Sequence, residues 1–121
     1  KKNISTKFFS EEICIKIDLE DFKRIIGNVL SNAIKYNKRG GEIQVTLKDN
    51  KLSIKDTGIG IDRKDQNNIF NRYYRATTQD GGFGLGLNIV QKICLEYNIL
   101  IEVESELKQG TTFTFDFKNL I

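Results

Sequence analysis

Two asparagines, four residues apart, interrupt an otherwise amphipathic helical pattern. Asn28 and Asn32 lie on one flank of an ideal helix, and Lys35 and Tyr36 continue that flank. Amide oxygens can ligate a hard cation such as Mg²⁺, a lysine can contact phosphate, and a tyrosine offers an aromatic face to a base. The alternative is a solvated polar flank. Asparagine is unfavourable inside a helix, which favours a functional role.

A second candidate is a carboxylate that ends a strand-like run and precedes two glycines. Asp56 is followed by Thr57, and then by Gly58-Ile59-Gly60-Ile61. A carboxylate at this position can accept a hydrogen bond from an exocyclic amine. The glycines would let the backbone approach a flat base closely. Taken in isolation, the same residues are more typical of an ordinary Asp-Thr-Gly turn.

A third candidate is a glycine-rich run, residues 81–87, that precedes a helical pattern. Glycines ahead of a helix expose backbone N–H groups at its positive end, which suits phosphate binding. The run lacks the Gly-Lys-Ser/Thr of a Walker A loop, and no strand precedes it as in a Rossmann fingerprint. We therefore expect a mobile lid. Arg72 and Arg75 lie just before the run and could neutralise phosphate charge, or form an ordinary exposed pair.

Apolar patterning in the first part of the chain predicts a strand and then a helix. Ile13, Ile15 and Ile17 alternate strictly, which predicts a strand over residues 12–18. Asp18 is a predicted N-cap, and Gly40-Gly41 ends the unit. The apolar stripe of the helix consists of Phe22, Ile25, Ile26, Val29, Leu30, Ala33 and Ile34.

The rest of the chain predicts two hairpins separated by a long loop and a helix. We expect a turn at Asp49-Asn50, a functional loop over residues 57–83 and a turn at Gly110, with Phe70 anchoring the loop in the core. The order βα-ββ-loop-αββ predicts an α+β fold, a two-layer sandwich with helices on one face of a mixed, mostly antiparallel sheet. The predicted strands are residues 42–48, 52–56, 99–104 and 111–117, and the second helix is residues 85–97.

Composition indicates a globular domain without a membrane span. The chain has 121 residues and a net charge of +3, and its apolar runs are far shorter than the roughly 20 residues of a spanning helix. No n-region with an h-region is present at Lys1, so we expect no signal peptide and a domain cut from a longer protein. Basic residues are interspersed with acidic ones, which argues against nucleic-acid binding.

The cysteine and histidine content limits the metal sites, disulfides and reactions that the chain can support. Cys14 and Cys94 are far apart and lack a CxxC companion, so we expect two small buried thiols, not a metal site or a disulfide. The chain contains no histidine. General acid–base catalysis by histidine, His-ligated zinc and phosphohistidine are therefore excluded within this chain.

Four segments, in order and spacing, resemble the sequence boxes of bacterial sensor histidine kinases. Residues 28–36 resemble the N box, residues 56–61 the G1 box, residues 69–75 the F box and residues 82–87 the G2 box. Residues 110–115 resemble the last strand of that family. The resemblance covers almost the whole chain, although the lid is a few residues shorter than in many members.

The resemblance implies a Bergerat-type ATP-binding fold, shared with gyrase, heat-shock chaperone and mismatch-repair ATPases. It implies that residues 1–121 form one catalytic domain, with ATP and Mg²⁺ as cofactors and a flexible ATP lid. The partners it implies are a phosphoacceptor histidine domain, of the same or the dimer-partner chain, and a cognate response regulator of a two-component system. The whole protein would be a membrane-anchored homodimer with this domain in the cytoplasm.

Individual roles also follow from the resemblance. Asn32 would ligate Mg²⁺ with Asn28 as helper, Lys35 and Tyr36 would contact phosphate and nucleotide, and Asp56 would accept from the adenine amine. Lys35 and an F-box arginine, Arg72 or Arg75, would neutralise charge during transfer. The remaining candidate nucleotide contacts are Gly58, Gly60, Ile61, Phe70, Gly82, Phe83, Gly84, Leu85, Gly86, Leu87 and Thr112.

The resemblance also distinguishes between reaction types. Asn28 stands where the ATP-hydrolysing relatives carry a glutamate that activates water, which implies phosphoryl transfer to a protein. Two alternatives stay open. One is a nucleotide-binding or scaffold domain that has lost transfer, and the other is a kinase acting on serine, as in the related anti-sigma factors, which the F box disfavours.

Overall fold

Two helices pack on one face of a five-stranded sheet in a computed structural model, which describes residues 3–70 and 86–121. The predicted α+β sandwich is therefore confirmed. Neither helix has the length and apolar character needed to cross a membrane. The strands are β1 (Ser5–Ser10), β2 (Glu42–Lys48), β3 (Lys51–Asp56), β4 (Leu100–Glu106) and β5 (Gly110–Asp116), and the helices are α1 (Leu19–Lys35) and α2 (Gly86–Tyr97).

The sheet is mixed, with one parallel pair. Its strand order is β1-β2-β3-β5-β4; β1 runs parallel to β2, and the other neighbours are antiparallel. The β2–β3 turn has left-handed backbone at Asp49 (φ 54°) and Asn50 (φ 62°). Positive φ at both central residues is the geometry of a two-residue type I′ hairpin, which asparagine and aspartate tolerate. The predicted turn is confirmed.

Helix α1 begins directly after Asp18, the predicted N-cap residue. The carboxylate of Asp18 accepts hydrogen bonds from the backbone N–H groups of Glu20 (2.9 Å) and Asp21 (3.3 Å), which satisfies two donors of the first turn. One face of the helix is then buried through Ile25, Val29 and Ala33. Ile34 was predicted to share this stripe, but its side chain is 51% exposed. It follows Ala33 by about 100° around the helix and so lies off the buried face.

Inward-facing residues cross the sheet in rows. Strand registers align Leu47, Leu52 and Phe115 in one row and Val45, Ile54 and Phe113 in the next, and both rows pack in the core under the helices. The following row starts with the buried Ile43 of β2, which pairs with Asp56, and is polar from there on. It contains Asp56 at the end of β3 and the paired residues Thr111 and Ser105 of β5 and β4. The sheet therefore changes from apolar to polar at one end of its covered face.

The first strand is not where the isoleucine alternation predicts it. Residues 12–18 partly bury Ile13, Ile15 and Ile17 and expose the residues between them, but they form no strand. The strand is instead β1, whose six residues are all exposed at the sheet edge. Alternating burial requires only an extended backbone against the core, whereas β1 buries too little apolar surface to show a pattern.

The two cysteines have different environments. Cys94 on α2 is buried, and burial raises the pKa of its thiol to about 12. Cys14 is exposed, so its predicted burial is wrong. The alternation that turns Ile13 and Ile15 inward turns the residue between them outward.

We predict that the stability of the fold depends on the buried stripe of α1. Ile25→Ala should lower the free energy of unfolding by about 2–5 kcal/mol, because Ile25 is 0% exposed and its truncation leaves a cavity. Ile34→Ala on the same helix is the matched control and should cost about 0.5 kcal/mol or less. Urea unfolding followed by circular dichroism measures both. Equal losses in the two variants would contradict this packing.

A second prediction concerns thiol reactivity. The buried Cys94, with its raised pKa, should be protected from an aromatic disulfide reagent at pH 8, whereas the exposed Cys14 should react at once. Native protein should therefore release one equivalent of the coloured thiolate rapidly, and guanidinium-unfolded protein two. Cys14→Ser should abolish the rapid phase. Rapid reaction of both thiols in native protein would contradict the packing of α2.

Candidate functional site

The carboxylate of Asp56 lies in the polar row, at the last position of β3. Its Oδ1 accepts hydrogen bonds from the backbone N–H groups of Gly58 (2.8 Å) and Thr111 (3.2 Å). Burial raises the pKa of this carboxyl group, and the two backbone hydrogen bonds act in the opposite direction. Both bonds within the described chain are made by Oδ1, so Oδ2 is the atom that can accept from a ligand.

Residues 57–61 follow Asp56 and are packed tightly against neighbouring backbone. A Cβ atom at Gly58 would overlap the carbonyl oxygen of Tyr36, the residue that caps the C-terminus of α1. Gly60 has a φ of 72°, and a Cβ there would overlap the carbonyl oxygen of Glu106. Glycine is therefore required at both positions for close approach. The segment is fixed between the end of α1 and the β4–β5 turn.

A buried asparagine, missed by sequence reasoning, joins α1 to this segment. Asn37 is 4% exposed; its Nδ2 donates to the carbonyl of Glu42 (3.1 Å), and its Oδ1 accepts from the hydroxyl of Thr57 (3.1 Å). The same hydroxyl oxygen accepts from the N–H of Glu42 (2.9 Å). The end of α1, the start of β2 and the end of β3 are thereby tied together. The sequence signal that could have identified it is the presence of a polar residue, Asn37, shortly before Gly40-Gly41.

The polar flank of α1 faces the start of α2. The side-chain Nδ2 of Asn28 donates to the carbonyl of Arg24 (2.8 Å), one turn earlier, so its Oδ1 can accept or ligate. A Cβ atom placed on Gly86 would lie 3.0 Å from that Oδ1. Asn32 follows one turn later, and Lys35 is the last residue of α1. The amide flank and the positive end of a helix thus lie side by side.

Three of the predicted apolar contacts pack against the core. Ile61 and Leu87 are partly buried against it. The ring of Phe70 lies edge to face with that of Phe113, with centroids 6.5 Å apart, and its carbonyl accepts from Nδ2 of Asn88 (3.3 Å). The prediction that Phe70 anchors its segment in the core is confirmed.

The predicted contact Thr112 and its neighbour Thr111 lie on opposite faces of the sheet. Thr112 pairs with Lys55 on the face of the sheet away from the helices. Thr111 is 6% exposed, and its hydroxyl lies 2.7 Å from that of Ser105, in the same row as Asp56. Side chains alternate along a strand, so a shift of one residue exchanges the faces. Thr112 therefore lies on the opposite face from the carboxylate, and Thr111 is the threonine beside it.

The remaining predicted residues lie outside the described ranges. Among residues 3–70 and 86–121, no group of three or more His, Cys, Asp or Glu side chains could hold a metal ion. The amide oxygens of Asn28 and Asn32 are of the kind that can ligate a hard cation such as Mg²⁺. The predicted residues outside the described part are Arg72, Arg75, Gly82, Phe83, Gly84 and Leu85.

Sequence comparisons identify similar proteins. The family model described as histidine kinase-, DNA gyrase B- and HSP90-like ATPase matches residues 17–120. The sensor histidine kinase YvrG of Bacillus subtilis is 42% identical over 120 residues, which cover 92% of this chain and 21% of that protein. The signal transduction kinase ArlS of Staphylococcus haemolyticus is 36% identical over 93% of this chain and 27% of its own length. The chain thus spans about a quarter of these relatives.

Solved structures show the same architecture. A mycobacterial sensor histidine kinase, MprB, superposes with a TM-score of 0.84 at 28% identity and covers 93% of this chain and 81% of that one. Full-length ShkA in complex with AMPPNP gives a TM-score of 0.73 at 26% identity, over 94% of this chain and 25% of that one. With its fold, its boxes and these matches in agreement, the chain belongs to the histidine kinase-, DNA gyrase B- and HSP90-like ATPase family.

Proposed function

We propose that this chain binds ATP with Mg²⁺ and supplies the γ-phosphoryl group to a histidine on a separate phosphoacceptor domain. The observation that carries the proposal is the half-buried carboxylate of Asp56, which has one oxygen held by two backbone N–H groups and the other available to a ligand. Two comparisons support a nucleotide as that ligand. The family is one of ATPases, and ShkA, a structural relative, was solved with AMPPNP.

The donor and acceptor pattern at Asp56 favours adenine over guanine. An ionised carboxylate only accepts hydrogen bonds, so it pairs with the exocyclic amine of adenine and repels the carbonyl oxygen that guanine has at that position. Gly58 and Gly60 let the adjoining backbone pack against the carbonyl groups of Tyr36 and Glu106, which fixes this segment beside the carboxylate. Thr111, beside the carboxylate, completes the proposed base site.

The phosphates would lie between the polar flank of α1 and the start of α2. Asn32 and Oδ1 of Asn28 would hold Mg²⁺, with Lys35 close to the phosphates. When bound, Mg²⁺ would offset the charge of the phosphate oxygens. The N–H groups at the start of α2 add a positive end near Asn28, where Gly86 allows close approach.

Two properties of the chain support transfer to another domain. An amide at Asn28 cannot accept a proton from water as a carboxylate would, so hydrolysis is not promoted. No histidine is present to take the phosphoryl group. We therefore place the acceptor histidine and any base on a dimerisation domain of the same or a partner chain. A cognate response regulator, a membrane anchor and homodimerisation of the whole protein belong to the same proposal.

The base site gives a direct test by titration calorimetry with ATP and Mg²⁺. Asp56→Asn replaces one acceptor oxygen by an amide that donates, so ATP affinity should fall at least about tenfold, the loss expected when a buried polar partner is mismatched. The matched control is Asp49→Asn at the β2–β3 turn, where asparagine tolerates the left-handed backbone. Its affinity should equal that of the unsubstituted chain. Equal binding by Asp56→Asn would remove Asp56 from the base site.

Phosphoryl transfer is tested by joining the chain to a helix pair that carries an acceptor histidine and adding γ-labelled ATP. We expect label on the helix pair that is lost in acid and retained in base, because phosphohistidine is acid-labile. Acid-stable label would indicate serine transfer. ATP binding without any label would indicate a nucleotide-binding domain that has lost transfer. An acceptor with histidine replaced by alanine is the control and should stay unlabelled.

A further inference from the structure

The hydroxyl of Ser105 on β4 has an unusually complete set of partners. Its Oγ accepts from the backbone N–H of Ile61 (2.7 Å), donates to the carbonyl of Gly110 (3.0 Å) and lies 2.7 Å from the hydroxyl oxygen of Thr111. A hydroxyl has one hydrogen and two lone pairs, so these three contacts use its whole capacity. Because the Gly110 carbonyl can only accept, this set requires Thr111 to donate to Ser105.

Both donors to the Asp56 carboxylate belong to segments that Ser105 holds. One donor is the N–H of Gly58, in the segment that Ser105 fixes at its far end through Ile61. The other is the N–H of Thr111, whose side chain is bonded to Ser105. One hydroxyl, which itself makes no hydrogen bond to Asp56, is thus linked to both donors to Oδ1.

The same segment has other attachments that do not involve the Ser105 hydroxyl. The N–H of Lys108 donates to the carbonyl of Ile59 (2.7 Å), and Nε2 of Gln66 donates to the carbonyls of Ile61 and Ser105 (both 3.2 Å). Removing the hydroxyl should leave the segment attached to the β4–β5 turn but make the position of its backbone N–H groups less exact. Loss of base recognition can therefore be separated from loss of fold.

We infer that Ser105 is a positioning residue for base recognition: its hydroxyl aligns the Gly58 and Thr111 N–H groups so that Asp56 presents its second oxygen to the exocyclic amine of a purine. The inference rests on the proposed function, in which that purine is the adenine of ATP. Ser105 itself touches no ligand in this arrangement. It acts through the carboxylate, so its effect falls on discrimination between bases.

The test measures affinities for ATP and for purine riboside triphosphate, which lacks the 6-amino group, by titration calorimetry with Mg²⁺. The unsubstituted chain should prefer ATP. Ser105→Ala should weaken the affinity for ATP about threefold to tenfold, the range for one or two lost hydrogen bonds. Its affinity for the analogue should be nearly unchanged. The ratio of the affinity for ATP to that for the analogue should thus fall towards one. Ser105→Thr keeps the hydroxyl and should retain the preference.

The chain offers a matched control on the other face of the sheet. Ser53 of β3 pairs its hydroxyl with that of Thr114 on β5 at 3.2 Å, so Ser53→Ala removes a similar cross-strand contact away from Asp56. Its preference for ATP should be unchanged. Circular dichroism checks the fold of each variant; if Ser105→Ala does not fold, Ser105→Cys, of similar size but a weak acceptor, replaces it.

Three outcomes would count against the inference. An unchanged preference in Ser105→Ala, including an equal loss of affinity for both ligands, would give Ser105 no positioning role. A loss of preference in Ser53→Ala of the same size would show a general effect of sheet hydroxyls. Absence of ATP binding by the unsubstituted chain would overturn the proposed function, and the inference with it.

Discussion

The partly buried carboxylate of Asp56 is the constraint on which the site depends. Taking a carboxylate out of water raises its pKa and costs free energy, and hydrogen bonds to its charged form offset part of that cost. Here both bonds go to one oxygen, from the N–H groups of Gly58 and Thr111. Because both donors bond to Oδ1, Oδ2 has no partner among the described residues. That oxygen is the one to which a ligand amine would donate.

Two hydroxyl-centred contacts hold the backbone around that carboxylate, one from each side. Thr57 bonds to Asn37 at the end of α1, and Ser105 bonds to Ile61 and Thr111 at the β4–β5 hairpin. Gly58 and Gly60 let the intervening segment fit between them, because a Cβ at either position would overlap a carbonyl oxygen. Buried polar networks of this kind specify one geometry when every member is satisfied. No buried side-chain N or O atom of the described residues lacks a partner.

What could be predicted from the sequence is what local interactions decide. The Asp18 cap, the α1 stripe apart from Ile34, and the Asp49-Asn50 turn depend on near neighbours and agree with the structure. The candidate residues Asp56 and Asn28 came from motif spacing, which does not fix their contacts. Register and long-range pairing could not be predicted: a shift of one residue separates Thr111 from Thr112, and Thr57 and Ile61, partners of Asn37 and Ser105, lie 20 and 44 residues away from them. The edge strand β1 shows no pattern because its residues are exposed.

One helix serves both the core and the site, which couples the two. Ile25 and Val29 bury one face of α1, and the same packing presents Asn28 to the start of α2 at Gly86. The amide orientation is set within the helix, by the bond from Asn28 to the carbonyl of Arg24, so it does not depend on a ligand. The phosphate side of the proposed site is therefore positioned by helix packing and the base side by the sheet. A nucleotide spanning both would bind across the junction of the two layers.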